Sequence, residues 1–176
     1  MANVFELTEL DGKIALLTFD APDKKVNTFG RPVLLELSEI IDQLESREDL
    51  QGLLLKSGKP GQFIAGADLT ELGALMHATP EQLGEGMKVG HALFSRISKL
   101  PFPTVALIDG NCMGGGTEIT LAMDYRIAAD TPKTKIGLPE VNVGIIPGWG
   151  GTQRLPRLIG LNPALDIICS GNPVVR

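Results

Sequence analysis

The chain has 176 residues, of which 43% are hydrophobic and 21% are charged. This length and balance are typical of one globular domain with its own core, and they exclude a largely disordered chain. The net charge of −5 argues against a nucleic-acid-binding protein, because such proteins bind phosphates through a basic surface. No apolar run reaches the roughly 20 residues that a membrane-spanning helix requires. The amino-terminal residues lack a basic segment followed by an apolar one, so no signal peptide is predicted.

Cysteine and histidine are too sparse for a disulfide framework or a metal site. The two cysteines, Cys112 and Cys169, favour a reducing compartment, so we expect a cytoplasmic protein or one in an equivalent matrix. The two histidines, His77 and His91, have no second ligand at a suitable spacing, so no metal is predicted. Cys112 is expected to be a small buried residue rather than a nucleophile.

The predicted elements alternate between strands and helices. Two strands, Val4 to Leu10 and Ile14 to Phe19, come first and are joined at Asp11-Gly12. Apolar residues at helical spacing from Val33 to Leu44 predict a helix that ends near Glu48. The later predictions are a strand at 53–55, a helix capped by Thr79 with Pro80 in its first turn, a strand at 105–108, a glycine-led helix to Ala122, a strand at 126–129, and helices after Gly150 and from Pro163. The predicted apolar face of the helix from Thr79 comprises Leu83, Met87, His91 or Ala92, Phe94 and Ile97. This alternation predicts an α/β domain over 1–176 with a mostly parallel sheet covered by helices.

Three consecutive glycines, Gly114–Gly116, separate a predicted buried strand from the next helix. Unpaired N–H groups and the helix dipole at such a helix start stabilise negative charge, either on a bound phosphate or on a reaction oxyanion. Only glycine lets another group approach the backbone this closely. A phosphate loop would need Lys followed by Ser or Thr, whereas Thr117 and Glu118 follow here. Because Glu118 would repel a phosphate, the pattern favours an oxyanion site.

A second carboxylate, Glu140, follows Pro139 and lies between apolar residues. Apolar surroundings raise the pKa of a carboxylate, so Glu140 could hold a proton near neutral pH and form an acid–base pair with Glu118. From the pattern alone, a paired or exposed structural carboxylate is the more frequent case. The third segment, 63–69, has small residues that would let a ligand lie against the backbone, and Asp68 could cap the following turn. An ordinary loop between a strand and a helix is the alternative there.

Together these segments resemble the crotonase, or enoyl-CoA hydratase/isomerase, superfamily. The resemblance spans essentially the whole chain and is carried by FIAGAD at 63–68, GNCMGGGTE at 110–118, GLPE at 137–140 and PGWGGTQRL at 147–155. Segments 23–28 and 130–134 are most similar to the amino-terminal hydratase part of multifunctional fatty-acid oxidation proteins. The resemblance implies a crotonase-like spiral of ββα units and the hydration of a 2-enoyl-CoA to a 3-hydroxyacyl-CoA in fatty-acid β-oxidation. It implies no metal or redox cofactor, since coenzyme A is part of the substrate.

The resemblance also implies the role of each site residue. Glu118 would hold and deprotonate the attacking water, and Glu140 would deliver a proton to Cα of the substrate. The backbone N–H groups of Ala67 and Gly115 would form the oxyanion hole for the thioester oxygen. The other residues expected to contact the substrate are Lys24 or Lys25, Val26, Ala65, Gly66, Asp68, Leu69, Met113, Gly114, Pro139 and Gly148. Trp149 is expected to pack rather than to recognise a ligand, and Gln153 and Arg154 to tie down its loop.

Three alternatives remain beside the hydratase. They are a 3,2-enoyl-CoA isomerase, a catalytically silent acyl-CoA-binding or assembly fragment, and a nucleotide-binding protein that uses the three glycines as a phosphate loop. Family members continue past the equivalent of 169–173 into helices that close the acyl pocket and help to form trimers. The resemblance therefore implies a chain truncated before its carboxy-terminal helical region. At full length we expect a homo-oligomer or part of a larger oxidation complex.

Overall fold

Two β-sheets form the frame of the protein, whose computed structural model describes residues 3–68, 70–71, 73 and 78–175. The first sheet has the spatial order β1 (Phe5–Leu10), β2 (Ile14–Phe19), β3 (Gly52–Ser57), β5 (Thr104–Ile108) and β7 (Tyr125–Ala128). The second has the order β4 (Gln62–Ile64), β6 (Asn111–Met113), β8 (Lys135–Gly137) and β9 (Val174–Val175). The β1–β2 and β8–β9 pairs are antiparallel, and the other strand pairs are parallel.

The helices lie between these strands in the sequence. They are α1 (Arg31–Glu45), α2 (Pro80–Ile97), α3 (Gly115–Ala122), a 3-10 helix (Pro139–Val143), α4 (Gly151–Ile159) and α5 (Leu161–Ser170). Across the described ranges, no helix combines the length and the apolar character needed to cross a membrane.

Successive parts of the chain repeat one arrangement, in which a strand of the first sheet is followed by a strand of the second and then by a helix. The pair β3 and β4 precedes α2, the pair β5 and β6 precedes α3, and the pair β7 and β8 precedes the 3-10 helix and α4. The ββα spiral that the resemblance implies is therefore confirmed. In the second repeat β6 ends at Met113 and α3 begins at Gly115, and in the third β8 ends at Gly137 and the 3-10 helix begins at Pro139. The ends of these strands can therefore carry a shared site.

The hydrophobic core is built largely from the first sheet and the helices on it. Alternate residues of β2, including Ala15, Leu17 and Phe19, are buried, as the period of two in a strand requires. The buried face of α1 comprises Leu34, Leu37, Ile40, Ile41 and Leu44. Each large apolar side chain removed from water contributes about 1.5–3 kcal/mol, so this face is sufficient to hold α1 on the sheet.

The predicted helix boundaries differ from the observed ones in two places. The last helix begins at Leu161 rather than at Pro163. The first helix ends at Glu45 rather than near Glu48, because Leu44 is its last buried residue. The Arg47 N–H then donates to the Leu44 carbonyl oxygen at 3.1 Å and closes a turn. The predicted cap at Thr79 is confirmed, since the Thr79 side chain accepts a hydrogen bond from the Gln82 N–H in a capping box.

The predicted apolar face of α2 is wrong in its amino-terminal half. Its buried residues are Gly90, Leu93, Phe94 and Ile97, whereas Leu83 and Met87 are 37% and 49% exposed. His91 and Ala92, one of which is expected on this face, are also exposed. The carboxy-terminal half of α2 packs on the rest of the protein, while the amino-terminal half projects beyond the core. Periodicity alone could not separate the two halves, because both carry apolar residues at helical spacing.

Candidate active site

Two glycine-containing loops come into contact at the ends of the second-sheet strands. Gly66 has a φ of +104°, and a Cβ atom there would lie 3.1 Å from the Met113 carbonyl oxygen and 3.7 Å from the Gly115 nitrogen. Gly114, at the amino end of α3, has a φ of 53°. Both φ values lie in the region that favours glycine. The glycines therefore permit the close approach of the two loops.

The Ala67 N–H is directed away from its neighbouring strand. Phe29 donates its N–H to the Gly66 carbonyl oxygen at 2.8 Å and accepts from the Asp68 N–H at 2.9 Å, which makes a parallel bridge between Phe29 and Ala67. In such a bridge the middle residue points its own N–H to the opposite side. Gly115 begins α3, so its N–H has no intrahelical partner and lies at the positive end of the helix dipole.

Buried polar groups fix α3 beneath these loops. The Thr117 hydroxyl lies 2.8 Å from the Cys112 carbonyl oxygen and 2.7 Å from that of Gly137. The Gly114 N–H also donates to the Gly137 carbonyl oxygen, at 3.0 Å. Cys112 itself is fully buried, and burial raises the pKa of its thiol to about 12. The expected burial of Cys112 is confirmed, and its thiol is neutral at physiological pH.

Glu118 is a buried carboxylate with three stabilising neighbours. Only 2% of its surface is exposed, and its Oε1 accepts hydrogen bonds from the Trp149 and Gly151 N–H groups, both at 2.8 Å. Burial raises the pKa of Glu118, while the two N–H groups and the positive charge of Arg154 act in the opposite direction. The side chain is thus oriented through one oxygen, which leaves the other for a further partner.

Glu140 lies in the 3-10 helix on the other side of Gly114. A Cβ atom on Gly114 would lie 3.1 Å from Glu140 Oε1. The Oε2 atom is buried and has no hydrogen-bond partner among the described residues. Burial, with a smaller contribution from the charge of Glu118, raises the pKa of Glu140 to about 7. A carboxyl group of this kind can donate or accept a proton near neutral pH.

Residues 9–175 match the family model described as enoyl-CoA hydratase/isomerase. The chain belongs to this family. It is 48% identical over 171 residues to the fatty acid oxidation complex subunit alpha of Aliivibrio fischeri, a match that covers 96% of the chain and 24% of that protein. It is 43% identical over 172 residues to the subunit of the same name from Shewanella halifaxensis, with 97% and 24% covered.

Solved structures from the enoyl-CoA hydratase/isomerase family share the fold. An enoyl-CoA hydratase from Bacillus anthracis superimposes with a TM-score of 0.85 at 30% identity, covering 98% of the chain and 65% of that structure. The chain thus spans about a quarter of the length of the curated relatives it matches, where the covered share is 24%. It spans about two thirds of the length of this hydratase, at 65%.

The structure brings most of the predicted site residues together. The loop contacts join Gly66 and Ala67 to the segment from Met113 to Gly115, and Glu140 lies against Gly114 with Pro139 beside it. Gly148 directly precedes Trp149, whose N–H donates to Glu118, and it lies against α2: a Cβ atom there would be 3.3 Å from the Met87 sulfur. Gly148 and Met87 line an open groove of about 510 Å³ with Gly84, Lys88, His91 and Ala92.

The predicted substrate-binding residues near Asp68 differ in their contacts and exposure. Asp68 accepts from the Thr70 N–H at 2.9 Å, so the predicted cap of the turn is confirmed. Its other oxygen pairs with Lys24 Nζ at 3.1 Å, which lowers the pKa of Asp68. Ala65 and Lys25 are exposed and Val26 is half-buried. Leu69 and His77 lie outside the described residues.

Two features of this site could not be identified from residue type. The donors to Glu118 are backbone N–H groups of Trp149 and Gly151, which any residue could supply. Asn27 is fully buried; its backbone carbonyl accepts from the Ala65 N–H at 2.8 Å and its side chain binds the Phe19 carbonyl at 2.7 Å. The expected packing of Trp149 is confirmed by edge contacts with two phenylalanine rings.

Proposed function

We propose that this chain hydrates 2-enoyl-CoA thioesters to 3-hydroxyacyl-CoA, as a hydratase domain of fatty-acid β-oxidation. The observation that carries the proposal is the pairing of two carboxylates in unlike surroundings beside adjoining backbone N–H groups. Glu118 is held by two N–H groups, whereas the inner oxygen of Glu140 has no partner among the described residues. One carboxylate is thereby suited to act as a base and the other as an acid.

The proposed reaction uses the backbone of the two adjoining loops to stabilise charge. The N–H groups of Ala67 and Gly115 accept the thioester oxygen, on which negative charge develops as the enolate forms. Each such donor contributes about 2.7–4 kcal/mol to lowering the barrier. Because these donors are backbone groups, their placement depends on the glycine-permitted contact between Gly66 and Gly115.

The two carboxylates complete the addition of water. Glu118 takes a proton from the attacking water as its oxygen bonds to Cβ, and Glu140 gives its proton to Cα. The net change is one water added across one double bond, with no oxidation or reduction. A proton passes back from Glu118 to Glu140 or exchanges with solvent before the next turnover. All groups required are side chains or backbone of the chain, so the proposed reaction needs no separate cofactor.

Crotonyl-CoA hydration, followed by the loss of enoyl-thioester absorbance, tests the proposal. We expect Glu118→Gln and Glu140→Gln each to lower kcat by about 10²–10⁴-fold, the usual contribution of a general acid or base. Glu48→Gln is the matched control, since Glu48 is exposed. If both site variants keep the rate of the unaltered chain, the assignment fails. Binding of the thioester without turnover in the unaltered chain would instead support the acyl-CoA-binding alternative.

A second candidate reaction is the isomerisation of 3-enoyl-CoA to 2-enoyl-CoA. It is favoured by the pKa of Glu140, raised to about 7 mainly by burial, because one carboxyl group near neutrality can carry a proton between two carbon atoms. Glu118→Gln separates the two reactions: it should abolish hydration but leave isomerisation measurable. Loss of both reactions in Glu118→Gln would exclude a shuttle by Glu140 alone.

The name of the relatives also suggests an assembly. The matched proteins are alpha subunits of a fatty acid oxidation complex, so we propose that the chain acts as part of a larger complex. Sedimentation of the chain alone, and mixed with the part of a matched alpha subunit that the chain does not cover, would test this. A monomer under both conditions would contradict it.

A further inference from the structure

Arg154 contacts the same backbone segment that holds Glu118. The Trp149 N–H donates to Glu118 Oε1 at 2.8 Å, and the Trp149 carbonyl oxygen accepts from Arg154 Nη1 at 2.9 Å. The other guanidinium nitrogen, Nη2, lies 3.3 Å from the Ser95 hydroxyl on α2. A single side chain therefore links α4, the loop that binds Glu118, and α2.

Gly150 makes room for this guanidinium. It has a φ of +111°, and a Cβ atom there would lie 2.0 Å from Arg154 Nη1. The guanidinium thus occupies the space that a side chain at position 150 would take. The geometry of the loop and the position of the side chain are consequently coupled.

Among the described residues, few charged groups act electrostatically on Glu118. Arg154 approaches it from α4, and Glu140, on the 3-10 helix, is the carboxylate whose pKa Glu118 raises. From β6, Cys112 is neutral because burial raises its pKa to about 12. From α2, His91 lines the outer groove with Gly148. Arg154 is thus the cation among the groups that act on Glu118.

We propose that Arg154 is a positioning residue for Glu118. Its guanidinium fixes the Trp149–Gly151 backbone, whose two N–H groups orient the Glu118 carboxylate and keep it ionised for the attacking water. This inference rests on the proposed function, in which Glu118 is the base. It goes beyond the expected tying down of the loop, because it assigns Arg154 an effect on the chemistry of Glu118.

The two contacts explain why arginine suits this position. A guanidinium presents several donors in a rigid planar fork, whereas a lysine ammonium is a compact point charge on a flexible stem. Arg154→Lys would keep the positive charge but could not hold Trp149 and Ser95 with the same geometry. Arg154→Gln would remove the charge as well. The two variants therefore separate orientation from charge.

The test measures the titration of Glu118 directly and through activity. Carbon-13 NMR of labelled glutamate carboxyls, assigned with Glu118→Gln, gives the Glu118 midpoint whether or not the chain turns over crotonyl-CoA. We expect Arg154→Gln to raise that midpoint, to move the acid limb of kcat/KM to higher pH, and to lower kcat by about 10²-fold, as a displaced catalytic group does. Arg154→Lys should lower kcat while leaving the acid limb close to that of the unaltered chain.

Arg157→Gln is the matched control on the same helix. Arg157 is exposed, and its hydrogen bonds are to Gln153, so neither the midpoint nor the acid limb should move. An unchanged midpoint and acid limb in Arg154→Gln would overturn the inference, even if the rate fell. If Arg154→Gln does not fold, unchanged kcat in Arg154→Lys overturns it instead. If the unaltered chain hydrates nothing, the proposed function fails, while the NMR titration still decides whether Arg154 controls Glu118.

Discussion

The two carboxylates of the candidate site have different hydrogen-bond surroundings. The loop before α4 surrounds Glu118 with two N–H donors and a nearby arginine. The 3-10 helix places Glu140 with a buried oxygen that has no partner among the described residues. Burial raises the pKa of both carboxylates. At Glu118 two N–H donors and the charge of Arg154 act against it, whereas at Glu140 the opposing hydrogen bond comes from its own backbone. The surroundings, and not the residue type, thus distinguish the two groups.

The regions differ in packing as well. Trp149 is wedged against α2 and α3, since Cβ atoms on Gly90 and Gly115 would lie 2.5 and 2.6 Å from its ring. The segment that follows Glu140 is open, and Ile146 is 70% exposed. The loop around Glu118 is thus packed between helices, whereas the segment after Glu140 is exposed on one side and contacts the end of α5, where a Cβ atom on Gly171 would lie 3.0 Å from Val141.

A pair of glycine substitutions compares the two regions and has the largest expected effect. Gly150 and Gly144 both have positive φ values, +111° and +78°, so alanine at either costs about 1–2 kcal/mol in backbone strain. Only Gly150→Ala would displace the Arg154 guanidinium, the end of a flexible side chain. We therefore expect Gly150→Ala to lower kcat by about 10²-fold and Gly144→Ala to leave it nearly unchanged.

Chemical unfolding and crotonyl-CoA kinetics on both glycine variants check this expectation. Similar losses of stability with unequal losses of rate would support the contrast. Equal losses of rate would mean that the loop around Glu118 tolerates displacement of Arg154, and that the two regions are equally sensitive to strain.

The pH dependence of kcat/KM should be bell-shaped, with the high-pH limb due to Glu140 and the low-pH limb due to Glu118. Glu140 must carry a proton to act as an acid, and its pKa, raised mainly by burial, is about 7. Activity should therefore decline by about tenfold per pH unit once the pH is well above 7. Glu118 must be ionised, so activity should fall at low pH as it takes up a proton. A rate that stays constant from pH 7 to pH 9 would exclude Glu140 as the acid.

The smallest expected effect is on stability, through Glu140→Gln. Because the pKa of Glu140 rises from 4.5 to about 7 on folding, the folded protein binds that proton more tightly than the unfolded chain. Stability contributed by the protonated form is thus lost as the pH rises between these values. Allowing for partial exposure, Glu140→Gln should raise Tm at pH 8 by about 2–4 °C, which corresponds to about 1 kcal/mol in a domain of this size.

Thermal unfolding of the Glu140→Gln variant at pH 5 is the internal control. At that pH the carboxyl group is largely protonated in the folded protein, so the gain in Tm should be nearly absent. A gain of the same size at both pH values would show that the effect arises from packing and not from the charge of Glu140.

The first sheet and its helices were predictable, whereas the second sheet was not. Strands such as Ile14–Phe19 are long enough for an apolar pattern and were predicted with their observed bounds. The strands β4, β6 and β8 have three residues each, too few for any period to be recognised. The sequence pattern predicts loops at these positions or no regular element. Yet these strands bring the glycine loops and Glu140 together.

The sequence by itself determined the family, because its motifs occur in a fixed order, and it predicts the two carboxylates of the site. The ββα order is implied only by the family resemblance. Only the tertiary structure decided how each carboxylate is surrounded. The donors to Glu118 come from residues 31 and 33 positions away, and the cation beside them reaches back from the following helix. Such contacts join residues that are far apart in the sequence. Nearly every residue type has a backbone N–H group, so the residue type does not reveal which N–H groups act as donors.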